Sequence, residues 1–178
     1  MKKYLYVLLL LAALALASAG CGAVTTPARP SPSGGLHWGV QTKTSGCIAH
    51  TGMPDAACTP GDILPTATKA AICKPGYTQG VRNVPASEKN QVYAEYGIKS
   101  HTPGQYEIDH FVPLELGGSN AIANLWPEAA SPTPGFHQKD RVENYLHDQV
   151  CSRAISLKQA QIEIATNWRV VYNRMPNK

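Results

Sequence analysis

The chain has 178 residues, with 16 Lys and Arg against 12 Asp and Glu, a formal net charge of +4 and a pI of about 8.8. Charged residues make up 16 %, below the roughly 25 % of ordinary globular domains, and that excludes a disordered acidic or basic tail protein. The length allows one domain with a real core, or at most two small ones. Only one stretch is long and apolar, which excludes a polytopic membrane protein.

That stretch lies at the N-terminus, where Lys2 and Lys3 precede an apolar run from Tyr4 to Ala17. Ala17-Ser18-Ala19 fits a small-residue cleavage site, so residues 1–21 read as a secretory signal. The run is short for a membrane-spanning anchor. Cys21 follows in Ser18-Ala19-Gly20-Cys21-Gly22, which resembles a bacterial lipobox whose Cys becomes the lipidated first residue. Cleavage after Ala19 would leave five cysteines, an odd number; lipidation at Cys21 leaves four, enough for two disulfides. The expectation is an exported protein: a membrane-anchored lipoprotein facing the periplasm or cell surface, or a secreted one. Without residues 1–21 the chain holds 14 basic against 12 acidic residues, a formal +2. Net charge therefore gives no independent sign of a nucleic-acid partner.

Residues 22–35 are rich in Thr, Pro, Ser and Gly and read as a flexible tether, leaving 36–178 as the folded domain. From Leu36 to Gly76 the chain is turn-rich and carries Cys47, Cys58 and Cys73, with a short helix or strand over Ala67–Cys73. No C-x-x-C occurs, so neither a zinc knuckle nor a thioredoxin-type pair is available. Four cysteines permit three connectivities; Cys47–Cys58 with Cys73–Cys151 is the expected one. Ser87 to Tyr96 reads as a helix with Ser87 as N-cap, Val92 and Tyr96 on one face and Gly97 as its stop. Glu107–Leu114 has strand-type residues, Gly117-Gly118 marks a turn, and Ala123–Trp126 offers a second short strand. A Pro-rich loop, Ala129–Gly135, leads to a helix from about His137 to Cys151 with Val142, Leu146 and Val150 at helical spacing. The last helix opens on a capping box, Ser156-Leu157-Lys158-Gln159. Leu157, Ala160/Gln161, Ile164, Trp168 and Val171 form its apolar face.

The chemistry concentrates in EIDHFVPLELGGSNAIANLWPE and the following FHQKDRVENYLHD. A carboxylate and an imidazole can hold a divalent metal, while a second, neutral imidazole can take a proton from water. Lys139 and Arg141, near a helix start, could meet phosphate oxygens. These are the parts of metal-assisted phosphodiester hydrolysis.

Residues 107–141 resemble the HNH endonuclease family, whose ββα-metal motif runs strand, turn, strand, helix. The family's first His matches His110, with Asp109 in the preceding ligand position; Pro113 and Gly117-Gly118 match its turn, Asn124-Leu125 its central Asn, and His137 with Lys139 its final His and Lys. The resemblance implies an α+β domain with a ββα-metal core within 107–150, braced by disulfides. It assigns Asp109 and His137 to the metal, His110 to the general base, and Asn124 to pinning the loop and helping to orient His110. The implied cofactor is one divalent ion, Mg²⁺ first, with Mn²⁺, Ni²⁺ or Zn²⁺ as alternatives. The implied substrate is nucleic acid, DNA ahead of RNA. Because neighbours in a regular strand face opposite sides, this site requires the strand to bend or end at Asp109-His110.

Taken singly, each residue has a plainer reading. Lys139, Asp140, Arg141 and Glu143 make an ordinary solvated helix face; His37, His50, His101 and His147 read as surface or core residues, and Trp126 and Trp168 as core. What joins the motif residues is their order and spacing. The rival functions are a non-catalytic envelope lipoprotein or binding module on the same scaffold, and a metal-binding periplasmic protein. No G-x-S-x-G or H-E-x-x-H is present, which disfavours serine hydrolases and zinc peptidases.

Overall fold

The computed structural model describes residues 38–176. The signal segment, Cys21, the tether and His37 lie outside the described residues. Mixed α+β structure is present: five helices and a two-stranded antiparallel sheet among the described residues.

Two strands, β1 (Tyr106–His110) and β2 (Leu125–Ala129), pair with Asp109 opposite Trp126 and His110 opposite Leu125. Side chains alternate across a strand, so the hairpin has two different faces. Glu107, Asp109, Trp126 and Glu128 share one; Tyr106, Ile108, His110 and Leu125 share the other. Trp126 belongs to the main core with Val142, Leu146, Ile164 and Trp168, whereas Ile108 and Leu125 pack with Val92 in a second cluster. The sheet is thus buried from both sides, and its two faces carry separate chemistry.

Helices α1 (Lys69–Ile72), α2 (Tyr77–Val81) and α3 (Ala86–Glu95) precede the hairpin. The α3 helix begins one residue before the expected cap, with Pro85 at the N-cap and no side-chain cap bond from Ser87. Proline suits this end because the first amide hydrogens of a helix have no intrahelical partner. The expected strand over Glu107–Leu114 is shorter: it ends at His110, bends, and gives way to a 3₁₀ turn at Leu114–Leu116. Ala123 and Asn124 likewise belong to a 3₁₀ turn, Ile122–Asn124, which feeds β2. Pro113 cannot donate to a strand ladder, which is reason enough for the pairing to stop before it.

After the Pro-rich loop come α4 (Phe136–Cys151) and α5 (Leu157–Arg174). Ser156 caps α5 by accepting from the Gln159 N–H at 3.1 Å, but the Gln159 side chain donates to Glu163 rather than closing a capping box. The helix is also not continuous. Asn167 adopts φ −173° and ψ 93°, and its Oδ1 accepts from the Arg169 N–H at 3.1 Å, so the asparagine recaps the last turns. Trp168 is thereby held with its indole N–H on the Gly52 carbonyl at 2.7 Å.

Disulfides join Cys47 to Cys58 and Cys73 to Cys151. The second ties the end of α1 to the end of α4 across 78 residues of sequence. Such bridges fit an oxidising, extracellular setting. No helix among the described residues is long and apolar enough to cross a membrane.

The Gly117-Gly118 turn sits hard against its surroundings. Gly117 has φ +77°, the left-handed region that favours glycine, and a Cβ on Gly118 would lie 1.8 Å from the Val112 carbonyl oxygen. Gly118→Ala is therefore expected to cost about 2–3 kcal/mol, since backbone rather than a flexible side chain must move. A urea melt of the disulfide-bonded protein measures this; a loss below about 0.5 kcal/mol would show that the loop can yield.

Candidate active site

The loop between the strands is fixed by one residue. Asn124, fully buried, accepts through Oδ1 from the Val112 N–H at 2.9 Å and the Asp62 N–H at 3.2 Å. Its Nδ2 donates to the carbonyls of Val112 at 2.9 Å and Ser119 at 2.8 Å. All four polar positions of the amide are used, two of them on the residue where the chain turns out of β1.

The ring of His110 is oriented by a different asparagine. Asn120 Nδ2 donates to the Val81 carbonyl at 2.7 Å, and its Oδ1 accepts from the Asn83 N–H at 3.1 Å, so the amide's orientation is settled by backbone. The same Oδ1 lies 3.2 Å from His110 Nε2. An amide oxygen accepts, so Nε2 carries the hydrogen and Nδ1 keeps its lone pair. Asn124 makes no such contact with the ring; that part of its expected role passes to Asn120. Nothing in the spacing of GGSN distinguished Asn120 from an ordinary turn residue.

Burial pushes the His110 imidazole down to about 4, despite Asp109 nearby, with the charges of Arg82 and Lys139 acting in the same direction as burial. It is neutral at physiological pH. A neutral imidazole with one nitrogen bare and the other anchored is equipped to accept a proton.

Asp109 faces the other side of the sheet. Its Oδ1 accepts from the His110 N–H at 2.8 Å, and its Oδ2 from Lys139 Nζ at 2.6 Å. Lys139 is 0 % exposed and also donates to the His110 carbonyl at 2.8 Å and to Glu143. This corrects the expectation that Lys139 meets phosphate: an ammonium enclosed by two carboxylates and a carbonyl is unavailable to substrate. Burial would raise the Asp109 carboxyl, but the Lys139 charge and its hydrogen bonds hold it below its ordinary value. Burial would lower the Lys139 ammonium, and Asp109, Glu143 and Glu128 reverse that. Burial raises both Glu128 and Glu143 well above ordinary carboxylates.

Glu128 is the unexpected member. It is 1 % exposed, sits within hydrogen-bond reach of Asp109, and neither of its oxygens has a donor. Two ionised carboxylates repel, so a proton on Glu128, donated to Asp109, satisfies both. Around one ammonium the fold has gathered Asp109, Glu128 and Glu143, a surplus of carboxyl groups over cations.

That surplus bears on whether a divalent cation fits. The carboxylate donors are hard oxygens, Asp109 keeps one lone pair beyond its bonds to His110, Lys139 and Glu128, and its side chain is 12 % exposed. Asp109 by itself offers one carboxylate, and the Lys139 ammonium already stands on it. His137 stands exposed in the first turn of α4 with its ring 4.2 Å from that of Phe136, and no contact is seen between it and Asp109. Arg141 lies on α4 with its guanidinium 6.0 Å from the centre of the Tyr172 ring. The one cluster of three metal-donor side chains among the described residues is Cys73, His147 and Cys151, where the disulfide occupies both sulfurs.

On the His110 face, the imidazole lines an open cleft of about 370 Å³ with Arg82, Lys89, Tyr93, Tyr106 and Phe136. In comparisons with protein-family models, curated proteins and solved structures, the chain matches none.

Proposed function

We propose that the protein is a metal-dependent endonuclease of the HNH type, hydrolysing phosphodiester bonds of DNA outside the cytoplasm. The observation that carries this reading is His110: a neutral imidazole of defined tautomer, at the end of β1 beside Asp109, lining an open cleft with basic residues at its sides. The order strand, pinned loop, strand, helix supports reading 106–151 as a ββα-metal core.

In this mechanism His110 Nδ1 takes the proton of a water molecule that attacks phosphorus in line with the departing 3′ oxygen. Asn120 keeps Nε2–H in place and so fixes which nitrogen acts. The resemblance gives the divalent ion to Asp109 and His137; here Asp109 faces away from the His110 cleft, holds Lys139 and has no contact with His137. An ion held by that pair would supply stabilisation of the added negative charge and of the leaving oxygen. Lys139 holds the Asp109 carboxylate ionised and in position. The signal-like N-terminus, Cys21 and the two disulfides support an exported protein tethered by lipid at Cys21.

Plasmid nicking by the oxidatively folded protein tests the reading. Nicking is expected with Mg²⁺ or Mn²⁺ and not with EDTA. His110→Ala is expected to lower the rate by about 10²- to 10⁴-fold with an unchanged melting temperature. Absence of nicking with every divalent ion, in protein shown to be folded, would overturn it. The Lys139–Asp109 pair favours one alternative, a binding module on the same scaffold: an ammonium already occupies the carboxylate. In that case His110→Ala changes no activity and Asp109 takes up no metal.

A further inference from the structure

Arg82 was not singled out by the sequence, yet the fold places it with care. It follows α2 directly, between Val81, whose carbonyl accepts from Asn120, and Asn83, whose N–H donates to the same amide. That amide also holds the His110 ring. One side chain therefore locks the backbone on both sides of Arg82 to the orientation of His110. The arginine side chain itself is exposed and lines the cleft with His110.

Tyr93, Tyr106 and Phe136 line the same cleft. The His101 ring, in the neighbouring hollow, lies tilted against Tyr93 at 4.5 Å and meets Tyr106 edge-on at 6.2 Å, bracing the two tyrosines. Tyr93 and His101 also border a second hollow of about 600 Å³ that carries Lys99. The two hollows share Tyr93, which gives a path with cations at Arg82, Lys89 and Lys99 and rings between them. Glu107 is the acidic group in the cleft; burial and the Asp109 and Asp140 charges raise its carboxyl, and Arg82 offsets part of that.

We infer that this cleft takes an unpaired nucleotide of a single-stranded nucleic acid, with a phosphate on Arg82 and the base against Tyr93 and Tyr106. The inference rests on the nuclease reading and specifies its substrate. Arginine presents a planar fork suited to phosphate oxygens. In a duplex the bases are turned inward on one another, so only phosphates would reach the cleft and the rings would gain nothing. An unpaired base can leave its stack and lie against them.

Fluorescence anisotropy of a labelled oligothymidylate against a labelled duplex of equal length, in EDTA and at fixed salt, provides the test. The single strand is expected to bind more tightly. Arg82→Gln and Tyr93→Leu are each expected to weaken single-strand binding by about tenfold, in line with the loss of one phosphate contact or one stacked base, with melting temperatures unchanged. Lys74→Gln, in the loop between α1 and α2, serves as the control and is expected to change nothing. Equal or tighter duplex binding, or full binding by both cleft variants, would overturn the inference. Plasmid nicking without a single-strand preference removes the cleft assignment and leaves the nuclease reading standing. Single-strand binding without nicking under any divalent ion does the reverse.

Discussion

Lys139→Met is expected to destabilise the protein by about 3–5 kcal/mol, a large share of the stability of a domain this size. Methionine fills much the same volume, so the loss is electrostatic rather than a cavity. Without the ammonium, Asp109 and Glu143 lose the cation they share within hydrogen-bond distance, and the His110 carbonyl loses a donor. The buried site then holds the Asp109 and Glu143 carboxyl groups with no ammonium beside them, next to a protonated Glu128. Chemical unfolding at neutral pH measures the effect. The double variant Lys139→Met/Glu143→Gln is expected to recover part of the loss, because one of the stranded charges is gone. A single-variant loss below about 1 kcal/mol would mean that the carboxyl groups simply take up protons, and that the ammonium contributes little to holding the site.

Asn124→Ala is expected to cost about 3–4 kcal/mol, on the basis of four buried hydrogen bonds at roughly 1 kcal/mol each. Truncation strands the Val112 and Asp62 N–H groups and the Val112 and Ser119 carbonyls where little water can replace the amide. Asn124→Asp is the informative companion. It keeps the acceptor for the two N–H groups but turns an oxygen toward two carbonyls, so it is expected to be nearly as damaging. If aspartate proves benign, the donor half of the amide is dispensable and the loop is held through the Val112 and Asp62 N–H groups. Urea midpoints for both variants, with near-ultraviolet circular dichroism as a check on the surrounding tryptophans, decide between these.

How much of this was legible in the sequence depends on whether the signal was local. Val142, Leu146 and Val150 announce α4 through their own spacing, and Ser156 announces the start of α5 by capping it. The α2 helix has no buried residue of its own and no comparable pattern; its place comes from Asn120, some forty residues away in sequence. Lys139 is more instructive. Beside Asp140, Arg141 and Glu143 it reads as part of a wet helix face, yet it stands three residues before Val142, on the buried stripe. Its position on the helix carried the information that its residue type concealed. The partner that makes its burial tolerable, Asp109, lies on β1, 30 residues earlier. Asn120 and Asn124 looked alike as loop asparagines, and only the fold separates the one that holds backbone from the one that holds the imidazole. Glu128 gave no sign at all, because its burial follows from strand register.

The Cys73–Cys151 bridge has a topological consequence. Asp109, His110, Asn120, Asn124, His137 and Lys139 all lie within the ring of chain that this bond closes. The exposed Ser131-Pro132-Thr133 stretch lies inside it too. A single cut there opens the ring without releasing a fragment, and both pieces, β1 with β2 and α4 with its carboxylates, stay joined through sulfur. In an oxidising, extracellular setting that is a form of damage tolerance independent of how stable the fold is.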